Sequence, residues 1–295
     1  MMARRLVTTL ATAALVLAVP LPIAAQRATK RIFVSAVDDK GEPIVDLAAK
    51  DFQVTENGIR RDVTRVTLGT APMRVVLMVD SSTAIQPMMV SFRNALKAFA
   101  EALAPEHEVT FITSGGQIRV RTTPSTERDK LKTAIGLLAA EGGANAFLET
   151  LIESDQRFLK SAPDRWPVFV ILTTDMADSQ REPDVARYNK FMNDFLARGG
   201  NAHAVLMAGK RFGPITDLTM NLVQNVGGMY TPLVADSGLS ERLTAIARRL
   251  GEDHLQMRDR YEVEFTGDAK AVQPTINVGV SRDRVTLDMS PRRPF

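Results

Sequence analysis

The sequence predicts an α/β fold: a doubly wound, mostly parallel sheet with helices on both faces, accompanied by a small β domain built from N- and C-terminal strands. Three observations carry this reading. Val75 to Val79 and Val168 to Leu172 are unbroken apolar runs, the pattern of parallel strands buried on both faces. Between residues 71 and 258 such runs alternate with segments whose apolar residues keep helical spacing. Before and after that stretch the pattern changes to period two, which marks strands with one face in a core.

The chain has 295 residues, 45% of them hydrophobic, enough for one large domain and a smaller companion. Its start reads as a secretory signal peptide over residues 1–25. Arg4 and Arg5 give a basic head, Leu6 to Val19 an apolar run, and Ala24-Ala25 a small-residue cleavage site. The alternative is an uncleaved membrane anchor. Pro20 and Pro22 oppose it, because they keep the run short of the ~20 apolar residues that a span needs. The expected address is therefore export, to the periplasm or the medium. No later run is long and apolar enough for a span, so no membrane-crossing segment is expected in the mature chain. Cysteine is absent, which excludes disulfides, thiol catalysis, cysteine zinc sites and lipid attachment at a processed cysteine. The formal charge of +3 includes Arg4 and Arg5; without them 35 basic side chains face 34 acidic ones. That balance gives no support to nucleic-acid binding.

Residues 26–70 read as a β segment. Ile32, Val34 and Ala36 alternate with Arg31, Phe33 and Ser35, and Asp39 to Pro43 supplies turn chemistry. Phe52 to Thr55 follows, then Asn57-Gly58, a strong hairpin signal, with Ile59 to Val66 as the returning strand. Within 71–258, Phe92, Leu96, Phe99 and Leu103 define the first helix, stopped by Pro105. Val109 to Thr113 and Ile118 to Arg121 read as strands, and Ser125 as the cap of a helix buried through Leu131, Ile135 and Leu138. Gly142 to Asn145 opens a helix carrying Phe147, Leu148, Leu151, Ile152 and Leu159. Pro183-Asp184 starts another, carrying Tyr188, Phe191, Met192 and Phe195. Ala202 to Met207 is a strand, Leu218 to Val226 a helix, Tyr230 the start of a short strand, and Leu239, Leu243, Ile246 and Leu250 mark a closing helix. Residues 259–295 return to period two through Tyr261, Val263 and Phe265, Ile276, Val278 and Val280, and Val285, Leu287 and Met289. Too few to fold alone, these strands are expected to pair with the N-terminal ones.

In open α/β sheets, ligands sit outside the carboxyl ends of the strands. Asp80, Ser81, Ser82 and Thr83 follow the first long strand there, and Thr173, Thr174 and Asp175 end the second. The spacing of Asp80 and Ser82, with Asp175 after another strand, resembles the metal-ion-dependent adhesion site of von Willebrand factor A domains. That family has Asp-x-Ser-x-Ser, a Thr from a second loop and an Asp from a third. Hard oxygens and water suit Mg²⁺, and the open position takes an acidic side chain of a partner. The likeness extends beyond the α/β region. Val37-Asp38-Asp39-Lys40-Gly41-Glu42-Pro43-Ile44, Leu47 and Asp51-Phe52-x-Val54-x-Glu56-Asn57-Gly58 resemble the leader unit of exported bacterial, acidobacterial-type A-domain proteins, which end in a β segment as well.

Two positions depart from the family pattern. Ala84 stands where the second Ser is expected, and Ala144 where the Thr is expected, so each supplies a methyl group in place of an oxygen. The metal set implied by the resemblance is then Asp80, Ser82 and Asp175, a degenerate site with weakened or absent Mg²⁺ binding. The contact residues expected around it are Ser81, Thr83, Asn145 and Met176, with no catalytic residue. Asp80 and Asp175 have an alternative role as turn carboxylates holding backbone donors. Met88, Met89 and Met176 suit either an adaptable contact surface or the core. His107, His203 and His254 read as solvated or core residues. The expected function is a non-enzymatic protein-binding module that docks a partner at this sheet edge. A structural role in an envelope assembly is the alternative. A Mg²⁺-dependent phosphatase using Asp80 is the weaker one, since Ser82 stands where such enzymes carry a second Asp.

Overall fold

The computed structural model describes residues 27–175, 184–209 and 213–290. The expected signal peptide, Met176 and Pro183 lie outside the described residues. No helix among the described residues is long and apolar enough to cross a membrane.

Thirteen strands are described: β1 (Arg27–Val37), β2 (Phe52–Glu56), β3 (Ile59–Arg61), β4 (Val63–Leu68), β5 (Met73–Val79), β6 (Glu108–Thr113), β7 (Arg119–Val120), β8 (Trp166–Asp175), β9 (Asn201–Ala208), β10 (Tyr230–Leu233), β11 (Arg260–Asp268), β12 (Ile276–Val280) and β13 (Thr286–Ser290). Six α-helices lie among them: α1 (Met89–Ala102), α2 (Arg128–Gly136), α3 (Phe147–Ser154), α4 (Val185–Ala197), α5 (Pro214–Val226) and α6 (Leu239–Met257).

The central sheet has the order β10-β9-β8-β5-β6-β7. Its strands are parallel except β7, which runs antiparallel to β6. Strand alternation divides the core in two. Val75, Leu77 and Val79 face α1, α2 and α6, while Val76 and Met78 face α3, α4 and α5. Every residue of β8 is buried, which is why its sequence shows no alternation. Helices thus cover both faces, and the oxygen-rich ends of β5 and β8 meet at one edge.

The flanking strands form two antiparallel sheets, β13-β1-β11-β4 and β12-β2-β3. Each pairs strands from both ends of the chain, as in Val34 opposite Tyr261 and Val54 opposite Val278. They share a core of Ile32, Val34, Phe52, Val54, Tyr261, Val263 and Phe265. Asn57 and Gly58, at φ 51° and 78°, make the tight turn between β2 and β3, a left-handed geometry for which Asn and Gly are suited. Asp38 accepts the backbone N–H groups of Lys40 and Glu42 at 2.8 and 2.9 Å and closes the first turn. The Tyr261 hydroxyl accepts from Leu47 N–H and donates to the Ile44 carbonyl, at 3.0 and 2.8 Å. Glu56 is fully buried between Lys30 Nζ at 2.6 Å and Arg61 at 2.8 Å, and also accepts from Asp268 N–H at 2.8 Å. Burial pushes its pKa up, but these partners outweigh it and hold the carboxyl below its ordinary range. The leader motif is therefore a set of turn and pairing devices.

Several local expectations are corrected. Ile59 to Val66 is not one strand: β3 pairs with β2, and after Asp62 the chain crosses to pair β4 with β11. Period two reveals a strand but not which sheet receives it. Ser125 does not cap α2; its Oγ accepts from Glu127 N–H at 3.0 Å, and Glu127 itself is the cap residue. Asp184 precedes α4 as its cap, accepting from Arg187 N–H at 2.9 Å. The helix read from Leu218 begins earlier, with Pro214 in its first turn. Of the solvated and core roles open to the histidines, His107 and His203 take the core one, since both are buried.

Candidate functional site

β5 and β8 run in register, Val79 opposite Leu172, so Asp80 leaves its strand beside Thr173 and Thr174. Its N–H donates to the Leu172 carbonyl at 2.9 Å, which fixes the start of the loop. One carboxylate oxygen of Asp80 accepts from Ser82 N–H at 2.7 Å, an Asx turn. The other accepts a short hydrogen bond from the Thr174 hydroxyl. Asp80 is 1% exposed, and this burial pushes its pKa up against the opposing pull of those donors. Ser82 Oγ is buried beside the same carboxylate and completes no well-formed hydrogen bond among the described residues.

Asp175 lies at the end of β8 and turns toward α5. Its Oδ2 accepts from Gly213 N–H at 2.7 Å, from Thr216 N–H at 3.0 Å and from the Thr216 hydroxyl. Free N–H groups at a helix start attract a carboxylate, and Asp175 serves them from a neighbouring strand. The two acids read from the sequence thus stand at one sheet edge with separate sets of internal donors.

Of the four expected contact residues, Thr83 is exposed. Ser81 is fully buried: its hydroxyl donates to Glu141 Oε2 at 2.8 Å and accepts from Gly115 N–H at 2.9 Å. Asn145, 9% exposed, donates to Thr173 Oγ1 at 2.9 Å and accepts from Ser114 Oγ at 2.7 Å. Both therefore brace the loops from beneath. Met176 lies outside the described residues. Met88 and Met89 are half-buried and pack against the core on the α1 face.

Glu141 and Thr174 carry much of this geometry; Thr174 ends the second apolar run read from the sequence, whereas Glu141 is not singled out there. Glu141 pairs with the Arg121 guanidinium and accepts from Thr113 Oγ1 at 3.1 Å, while its N–H donates to the Ser81 carbonyl at 2.7 Å. Burial raises the Glu141 pKa, but Arg121 and Ser81 together bring it below its ordinary value. Gly115 packs against this loop so closely that a Cβ there would lie 2.5 Å from the Ser81 carbonyl oxygen. A carboxylate in a turn-rich stretch gives no sequence cue to such partners, which sit on three other elements.

Magnesium needs six oxygens in a tight octahedron near 2.0–2.1 Å. Here Asp80 and Ser82 face one another, Asp175 is tied into the start of α5, and Ala84 and Ala144 supply no oxygen. Ser82 Oγ is a buried oxygen with no well-formed bond among the described residues, but the set falls short of six oxygens and does not fit an ordinary magnesium site.

No protein-family model matches the chain, and no curated protein matches it. Among solved structures, the von Willebrand factor type A protein from Catenulispora acidiphila is similar over 70% of this chain and 51% of its own, with 19% identity and a TM-score of 0.53. The chain thus spans about half the length of that protein. Proximal thread matrix protein 1 from the mussel byssus matches over 60% of this chain and 47% of its own, at 14% identity and a TM-score of 0.49. BatB from Bacteroides thetaiotaomicron matches over 61% of this chain and 99% of its own, at 10% identity and a TM-score of 0.45. On the first of these likenesses the fold is that of a von Willebrand factor A domain, extended here by antiparallel strands.

Proposed function

We propose that the chain is an exported, non-enzymatic protein-binding module that docks a protein partner through the rim around Asp80 and Thr83, without a metal bridge. The observation that carries this reading is the internal satisfaction of both acids: Asp80 by Ser82 and Thr174, Asp175 by the start of α5. Donors that come from the protein itself shape the edge in the way a cation and its waters do elsewhere. The near-complete burial of Asp80 also speaks against attack on a phosphate ester, for which the carboxylate must reach its substrate.

Thr83 and Gln86 are exposed on the turn after Asp80 and suit a test, since changing them leaves the core intact. Purified chain is cross-linked to the exported fraction of its source cells, in chelator and in Mg²⁺, with Thr83→Arg, Gln86→Arg and, on the β sheets, Arg60→Glu as variants. Rim docking without metal predicts a product that persists in chelator, is lost in the two rim variants and is kept in Arg60→Glu. A product sensitive only to Arg60→Glu would instead support the envelope-scaffold role.

A further inference from the structure

At the opposite edge of the central sheet, three side chains from two segments converge. Glu106 and His107 precede β6, and His254 belongs to the last turn of α6. One ligand-type atom from each lies within 4.8 Å of the others. The two rings meet edge to face, with centroids 4.7 Å apart, and Trp166 stands against His254 at 5.4 Å.

Proton positions follow from the hydrogen bonds. Met73 N–H donates to His107 Nδ1 at 3.3 Å, so the neutral His107 ring carries its proton on Nε2. That Nε2 is fully buried and has no acceptor among the described residues. His254 Nε2 lies 3.2 Å from the Ala71 carbonyl, which can only accept, so this nitrogen is the donor. In the neutral ring, His254 Nδ1 then keeps a lone pair, and it faces the Glu106 carboxylate at 3.6 Å. Two electron pairs are directed at one another, with the buried His107 ring against them. A histidine whose second nitrogen donates to a backbone carbonyl is held as metal-ligating histidines are held.

We propose that Glu106 and His254 Nδ1 bind a divalent transition metal of the zinc class. Imidazole and carboxylate suit such an ion, whose remaining positions are filled by water. His107 is a positioning residue, its Nε2–H donating to a water on the metal. The Arg128 guanidinium is turned to the carbonyls of Ala104 and His107 at 2.9 and 2.8 Å and holds the loop. The bound ion ties the end of α6 to the turn before β6. Through Ala71 it also reaches the segment entering β5, where the α/β region joins the flanking strands.

The test is titration of metal-stripped, full-length protein with Zn²⁺ by calorimetry and with Co²⁺ by visible absorption, with thermal melts alongside. One Zn²⁺ per chain, a raised melting temperature and a cobalt spectrum showing a nitrogen ligand are expected. The Glu106 side chain is 46% exposed, so Glu106→Gln is expected to fold; it should weaken binding about tenfold or more, as should His254→Gln, and His107→Phe should weaken it less. Asp80→Ala should leave the zinc isotherm unchanged. Absence of binding, binding indifferent to Glu106→Gln and His254→Gln, or binding lost in Asp80→Ala would each overturn the assignment. So would a pH-dependent melt with no response to metal, which would mean that a proton alone bridges Glu106 and His254.

Discussion

Ala84 and Ala144 place two methyl groups where the family pattern read from the sequence implies hydroxyls, and a methyl group cannot act as a metal ligand. If those two hydroxyls are what the site lacks, then Ala84→Ser combined with Ala144→Thr should gain Mg²⁺ affinity, roughly tenfold or more over the natural chain, in calorimetric titration. A silent double variant would instead place the obstacle in the Thr174 bond to Asp80 and the grip of α5 on Asp175. These positions were legible because the motif spacing points to them. The braces were not: Glu141 and Thr216 act through partners that come close only in the folded chain. His203, read from its strand position as a solvated or core residue, is buried. Burial, and next the nearby Arg249, depress its pKa to about 4 from 6.5. The unfolded chain therefore takes up this proton first as pH falls, and the stabilising contribution, complete above about 6.5, declines toward pH 4. His203→Gln should flatten the fall in melting temperature between pH 7 and 4.5; an unchanged pH profile would remove His203 as its cause.

Helices and turns here hold the site at the scale of single capping interactions. Asp175 caps α5 from the end of β8, so Asp175→Ala removes the acceptor for Gly213 and Thr216 and should cost about 1–2 kcal/mol in denaturant unfolding. Hydrogen exchange should rise in the first turn of α5 and little elsewhere; uniform acceleration along the chain would show that Asp175 acts on the whole sheet instead. The Asn57-Gly58 turn was legible because its chemistry is local, and Gly58→Ala should cost about 1 kcal/mol at its φ of 78°. The crossing at Asp62 was not legible for the opposite reason. Arg61 and Val63 differ in which sheet they join, and that choice is made by β2 and β11, the latter some two hundred residues away. Buried strands such as β8 stand between these cases: a continuous apolar run identifies them, while their order in the sheet follows only from the connections.

The whole molecule is held by contacts between the α/β region and the strands that flank it in sequence. Phe33 of β1 packs into the core on the α1 and α6 face, although its neighbours Ile32 and Val34 belong to the core of the antiparallel sheets. Arg31 donates to the Arg198 carbonyl just past α4 at 2.8 Å and pairs with Glu262 and Glu264 on β11. Gly69 leaves β4 against the backbone of Met257, where a Cβ would lie 2.1 Å from the carbonyl oxygen. Since β1 lies between β13 and β11, and β4 borders β11, removing the C-terminal strands exposes both edges of β1 and the paired edge of β4. Trp166 lies in the α/β region near His254, whereas far-ultraviolet dichroism reports on the strands of all three sheets. Full-length protein should therefore unfold in one transition, with Trp166 fluorescence and dichroism coincident. A chain ending at Met257 should lose that coincidence and melt several degrees lower by Trp166, because Phe33 loses the sheet that positions it. An unchanged Trp166 melting curve in the shortened chain would mean that the α/β region folds without help from the strands around it, and that Phe33 contributes packing but no cooperativity.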